Sequence, residues 1–192
     1  MTDYIKIAGV SERDTDLLLL EEFTASPDFV QFFLERIGLT DKGYTFLEAS
    51  RSVTDSTGES DLEVMLTGSD GQKFVLMLEN KVNAGFQPKQ AERYRARGMT
   101  YANHGKIRGF TTVLLAPARY FDGDKKGFDH RVDYEAVRDW FERSALPPGR
   151  KHYKLSVLNS AIEKSTSGYQ MVADAPVSNL WRDYWTLAWK VA

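Results

Sequence analysis

Residues 61–81 read DLEVMLTGSDGQKFVLMLENK, and the way this stretch folds back on itself decides the architecture. Leu62, Val64 and Leu66 are in phase along Asp61 to Thr67, and Phe74, Leu76 and Leu78 along Lys73 to Lys81. Period-two alternation of this kind marks strands with one face turned to a core. Between them, Gly68-Ser69-Asp70-Gly71 is a hairpin turn signal. A three-residue loop of Ser69, Asp70 and Gly71, with Gly71 left-handed, sets Gly68 opposite Gln72. The register follows: Leu62 faces Leu78, Val64 faces Leu76, Leu66 faces Phe74, and Asp61 faces Glu79 on the other side of the ribbon. A slip of one residue would set Asp61 against Leu78 and scramble the apolar face, so the hydrophobic pattern specifies the pairing. Alternate residues share a face, which brings Lys81 beside Glu79 and Asp61 and turns Asn80 away.

An acid opening one strand and a Glu-x-Lys closing the next resembles the PD-(D/E)XK nuclease superfamily, the restriction-endonuclease-like fold. Asp61 matches the aspartate of the first half-motif, with Ser60 in place of the proline, and Glu79-Asn80-Lys81 matches (D/E)XK. Gln90-Ala91-Glu92-Arg93-Tyr94 looks like the QxxxY element of many members. The motif-bearing resemblance spans roughly residues 12 to 115. An acid-x-Lys triplet alone arises about once by chance in a chain of this length. Asp124-Lys125-Lys126 is a second instance here, set between Gly123 and Gly127 in a stretch that reads as a loop. Strand context, a face-matched acid and the following Gln/Tyr helix separate the hairpin copy from this decoy.

The resemblance implies an α/β fold with an α-β-β-β-α-β core, a mixed central sheet flanked by helices, and additional C-terminal helices. It implies metal-dependent hydrolysis of phosphodiester bonds in DNA. Asp61 and Glu79 would hold Mg²⁺, or Mn²⁺ in its place, and the backbone carbonyl of Asn80 would add a third oxygen; Mg²⁺ needs few protein ligands because it keeps several waters. Lys81 would position or steady the attacking water. A first-helix acid is expected at the site, Glu12 or its rival Glu22. Gln90 and Tyr94, one helical turn apart, would brace Lys81 or contact the backbone phosphate. Two other readings stay open on the same residues: a non-catalytic DNA-binding or interaction module, and a phosphodiesterase directed at RNA.

Composition agrees with a compact enzyme-sized unit. The chain has 192 residues, 42% of them hydrophobic, and no cysteine, which excludes a disulfide framework and a thiolate zinc site. Leu17 to Leu20 is the longest leucine run and is flanked by Asp14, Asp16, Glu21 and Glu22, so no membrane anchor is expected and a cytoplasmic location is. The net charge of −2 is unevenly placed: seven bases and two acids give residues 79–108 a charge of +5, leaving −7 on the rest. Such a cluster reads either as an electrostatic footprint for a polyanion or as a solvated helix face. Within it, Lys89, Arg93 and Arg97 are candidates for phosphate contacts, with Tyr94 beside them. His104, His130 and His152 lack the spacing of a metal site, and no phosphate-cradling Walker loop is present.

Along the chain, Ser11 caps a helix over Glu12 to Ala25, and a second helix enters through Pro27 and Asp28 and stops at Gly38. A strand is expected over Tyr44 to Thr54. Asn83-Ala84-Gly85 is a turn, Pro88 suits the first turn of a helix, and Gly98 is expected to end that helix. Phe110 to Leu115 reads as a buried strand, and residues 117–130 as a loop. Tyr134 to Arg143 is helical, Pro147-Pro148-Gly149 breaks it, and Tyr153 to Lys164 forms a further helix. A last helix from about Ser178 carries Trp181, Trp185 and Trp189 at four-residue steps, a stripe that fits either the core or a homodimer face. The whole, residues 1–192, is expected to form one domain with a helical extension from about residue 133.

Overall fold

The computed structural model describes residues 7, 9–55, 58–121 and 127–166. Its centre is a five-stranded sheet in the order β1-β2-β3-β4-β5, formed by Thr45–Asp55, Gly58–Thr67, Lys73–Asn80, Gly109–Ala116 and His130–Asp133. The first three strands pair antiparallel and the last two join parallel, so the sheet is mixed. Helices α1 (Glu12–Ala25) and α2 (Pro27–Arg36) precede it, α3 (Gln90–Asn103) links β3 to β4, and α4 (Tyr134–Arg143) and α5 (Pro148–Thr166) follow it. The parallel β3/β4 pair requires a crossover, and α3 supplies it.

The hairpin has the register its sequence predicts. Leu62 pairs with Leu78, Val64 with Leu76 and Leu66 with Phe74. The Gly68 N–H donates to the Gln72 carbonyl at 2.9 Å, and Gly71 sits at φ +75°, where a side chain would be strained. Each face of the sheet is covered. Leu62, Val64, Leu66, Leu76 and Leu78 join Val113 and Leu115 in a core with α1, α2, α4 and α5, where Phe23, Phe29, Phe33 and Phe141 pack ring against ring. Val75, Met77 and Leu114 point the other way, onto Ala91 and Tyr94 of α3 with Ile107 and Phe128. Burial on both faces makes β3 and β4 the central strands.

Three expectations are corrected. Helix α3 runs through Gly98 to Asn103 instead of stopping there. This glycine serves packing: a Cβ at its position would lie 2.4 Å from the Phe110 ring, so helix and strand approach each other only because the side chain is missing. The stretch 117–130 is not wholly loop, because it holds a 3₁₀ turn at Ala118–Phe121 and the first residue of β5. Finally, α5 begins at Pro148, since proline at the first helical position starts a helix as readily as it ends one. The Asp124 triplet and the tryptophan stripe of 181–189 lie outside the described residues. No helix among the described residues is long and apolar enough to cross a membrane.

Candidate active site

At the open end of the hairpin the ladder stops at Leu62 and Leu78, one step before Asp61 and Glu79. The hydroxyl of Tyr94, from α3, occupies the gap: it accepts the Asp61 N–H at 3.0 Å and donates to the Leu78 carbonyl at 3.3 Å. The Asp61 carboxylate accepts the Asn80 N–H at 2.8 Å. Glu79 is buried, and its Oε1 accepts from Lys81 Nζ at 2.6 Å and from Gln90 Nε2 at 2.7 Å. Two carboxylates, an ammonium and an amide therefore meet at one strand end.

Asn80 turns to the opposite face. Its amide donates to Thr15 Oγ1 and Asp16 Oδ1, each at 2.7 Å, and its side-chain carbonyl accepts from Tyr134 Oη. Beyond it, Lys81 N–H donates to the Leu115 carbonyl at 2.8 Å and Val82 N–H to Glu12 Oε1 at 3.2 Å. The end of β3 is thus held from both faces, by α3 through Glu79 and the Leu78 carbonyl and by α1 and α4 through Asn80.

The electrostatics follow from burial. Asp61 is pushed up to about 8 by desolvation and then by the Glu79 charge, which the Asn80 N–H and Lys81 only partly offset. Asp16 rises to about 6, also through burial, against the Asn80 hydrogen bond and Arg51, which lies 3.9 Å away. Burial works against the Lys81 ammonium, but the Glu79 charge and hydrogen bond, with Glu12 and Asp61 behind them, hold it above the ordinary lysine value. Tyr94 is raised by burial and by the two acids, so its hydroxyl keeps its proton.

Of the two first-helix acids, Glu12 lies at the site and Glu22 does not: Glu22 is buried 2.7 Å from Lys154 in the contact between α1 and α5. Gln90 braces Glu79 where Lys81 was one expected target. Tyr94 and Arg97 are corrected as nucleic-acid contacts, because each is about 1% exposed. The Arg97 guanidinium donates to Ser60 Oγ and the Gly58 carbonyl and lies 3.7 Å from Glu63, pinning the start of β2. Ser60, where the half-motif has proline, is thereby the acceptor for a buried arginine. Lys89 is exposed at the N-terminus of α3, and Arg93 is half-buried, donating to the Pro88 carbonyl and to Gln87 Oε1. Arg95 and Arg108 pair with Asp129 and Asp70, so the basic stretch is partly neutralised by residues distant in sequence.

Asp16 and Tyr134 escaped the sequence reading. Asp16 had a signal, its position one helical turn after Glu12, whereas Tyr134 meets Asn80 only through tertiary folding. Among the described residues no group of three or more Asp, Glu, His or Cys side chains is gathered as a ready metal site. The two-carboxylate set still suits a hard divalent cation, since Mg²⁺ is commonly held by one or two carboxylates.

No protein-family model matches the chain, and no curated protein matches it. Among solved structures the chain is similar to one from a complex of EndoMS with double-stranded DNA, at 16% identity and a TM-score of 0.33, over 69% of this chain and 48% of that one. The chain spans about half the length of that protein, and a likeness this slight carries no argument for function.

Proposed function

We propose that the chain is a metal-dependent phosphodiesterase that cleaves DNA, with Asp61 and Glu79 holding Mg²⁺ or Mn²⁺. The observation that carries the reading is the convergence of a buried carboxylate (Glu79), a half-buried one (Asp61) and a buried ammonium (Lys81) at adjacent strand ends, with Glu79 oriented by Gln90 and Asp61 by the Asn80 N–H. Isolated charges are seldom buried without a task or a compensating network, and perturbed carboxyl groups cluster at functional sites.

When bound, the cation supplies a water of lowered pKa and positive charge for the phosphate oxygens. The chain's own groups do the rest. Asp61, as the carboxylate, and Glu79 would hold the cation; Gln90 fixes the orientation of Glu79, and the backbone carbonyl of Asn80 is held in place by the side-chain bonds to Thr15, Asp16 and Tyr134. Lys81 presents a compact ammonium, kept protonated by Glu79, where negative charge develops in the transition state. Glu12, anchored by the Val82 N–H, supplies a further oxygen at the rim. Lys89 and Arg93 attract the phosphate backbone without reading its sequence.

A second reading, a DNA-binding module without catalysis, is favoured by the closed Lys81–Glu79 pair, whose side chains are only 8% and 2% exposed. One experiment separates the two. Purified protein is incubated with supercoiled, linear and single-stranded DNA, and with RNA, in Mg²⁺ or Mn²⁺, beside EDTA and Lys81→Ala controls. Cleavage of DNA that EDTA and Lys81→Ala both abolish is expected. Cleavage that EDTA or Lys81→Ala leaves undiminished overturns the mechanism, binding without cleavage favours the module, and cleavage of RNA alone moves the substrate.

A further inference from the structure

Beside the acid pair, on the α3 side, lies a cavity of about 330 Å³ whose border includes Phe86, Gln87, Lys89, Gln90, Glu92 and Arg95. Gln90 connects the two places, since the residue that lines this cavity also donates to Glu79 at 2.7 Å. The volume is at the small end of ligand pockets, which begin near about 300 Å³, and it therefore suits one nucleotide rather than a stretch of duplex. Its walls carry an aromatic ring in Phe86, amides in Gln87 and Gln90, a cation in Lys89, a second in Arg95 that is paired with Asp129, and one acid, Glu92, at the α3 side. Phe86 packs edge-to-face on Tyr120, with ring centroids 5.7 Å apart at 68°. The Tyr120 hydroxyl in turn donates to the Ala84 carbonyl, which ties the 3₁₀ turn after β4 to the segment that follows Lys81.

We infer that this cavity is a subsite for the unpaired base of the nucleotide adjoining the cleaved phosphate, which makes single-stranded or locally unpaired DNA the preferred substrate. In a duplex the base faces are stacked on one another and cannot enter a side pocket. A base that is already unpaired enters without the unstacking cost of extrusion. Phe86 offers the ring for stacking, the sequence-tolerant interaction typical of single-strand binding. Gln87 offers hydrogen bonds to a base edge, and Lys89, at the exposed start of α3, offers charge to the neighbouring phosphate. The inference rests on the nuclease reading only for its placement beside the cleaved bond, because the subsite itself is defined by binding.

The test measures binding in EDTA, where no cleavage occurs. A single-stranded oligonucleotide carrying one 2-aminopurine, whose fluorescence falls on stacking, is titrated with the full chain and compared with the same strand in a duplex. Expected are quenching and tighter binding with the single strand. Phe86→Ala should weaken that binding roughly 5- to 150-fold and remove the quenching, and Phe86→Trp should restore both. Lys89→Ala, at an exposed position, should weaken binding while leaving thermal unfolding unchanged, which guards against a Phe86→Ala protein that merely misfolds. Equal affinity for the two DNA forms, or quenching that persists in Phe86→Ala, overturns the subsite. The two readings fail separately. Metal-dependent cleavage with no single-strand preference leaves the nuclease and removes the subsite; Phe86-dependent quenching without cleavage in any metal does the reverse.

Discussion

Two ion pairs bracket the β2–β3 hairpin, and both close at 2.6 Å. At the turn end Arg108 meets Asp70 with side chains 69% and 50% exposed; at the open end Lys81 meets Glu79 with side chains 8% and 2% exposed. Water screens the first pair and leaves it nearly interchangeable with two hydrated ions. The second pair has lost its hydration, so each member depends on the other and on the amide of Gln90. Equal distances therefore conceal opposite roles, and burial tells them apart.

The largest expected effect is on catalysis. Lys81→Ala should lower DNA cleavage at saturating Mg²⁺ by roughly 10²- to 10³-fold, whereas Arg108→Ala should leave it unchanged; comparable losses in both would erase the distinction between the two ends. Next comes stability. Removing Lys81 strands a buried carboxylate and should cost roughly 3–5 kcal/mol in urea denaturation. The double change Glu79→Gln with Lys81→Met should return most of that stability and none of the activity, which separates folding from chemistry.

A pH series sharpens the comparison further. Asp61 is held at about 8 in the folded chain against an ordinary 3.8, so the folded state keeps a proton that the unfolded chain releases between those values. The stabilisation this confers is complete below the ordinary value and is lost as pH rises through about 8. In EDTA the urea midpoint should accordingly fall between about pH 6 and about pH 9, and Asp61→Asn should flatten the fall. Mg²⁺ should raise the melting temperature more at the alkaline end, where no proton competes for the carboxylate. A midpoint equally flat in both proteins would mean that Asp61 is already ionised at neutral pH. The smallest effect belongs to the turn: Arg108→Ala should shift stability by about 0.5 kcal/mol or less, and added salt should shrink even that.

The open end was legible in the sequence because local rules fix it. Alternation sets the faces, Gly71 sets the loop, and together they place Asp61 across from Glu79 with Lys81 alongside. Contacts that depend on distant chain segments were not legible. Arg97 and Tyr94 carry the outward signs of a nucleic-acid helix, a base and an aromatic at helical spacing, and only the approach of α3 to the start of β2 turns them inward. Tyr134 reaches Asn80 from beyond β5, a four-residue strand too short to show a period. Gly98 was misread because glycine marks both helix ends and close packing, and the Phe110 ring that decides between them is brought by β4.

The Tyr94 hydroxyl has a mechanical consequence. By standing where the next rung of the ladder would be, one oxygen atom acts as a spacer between the ends of β2 and β3. The same helix carries Gln90 against Glu79 and Lys89 at its exposed start. Lifting α3 from the sheet would therefore remove the Tyr94 spacer and the Gln90 brace in a single movement, leaving Asp61 to the Asn80 N–H and Glu79 to Lys81.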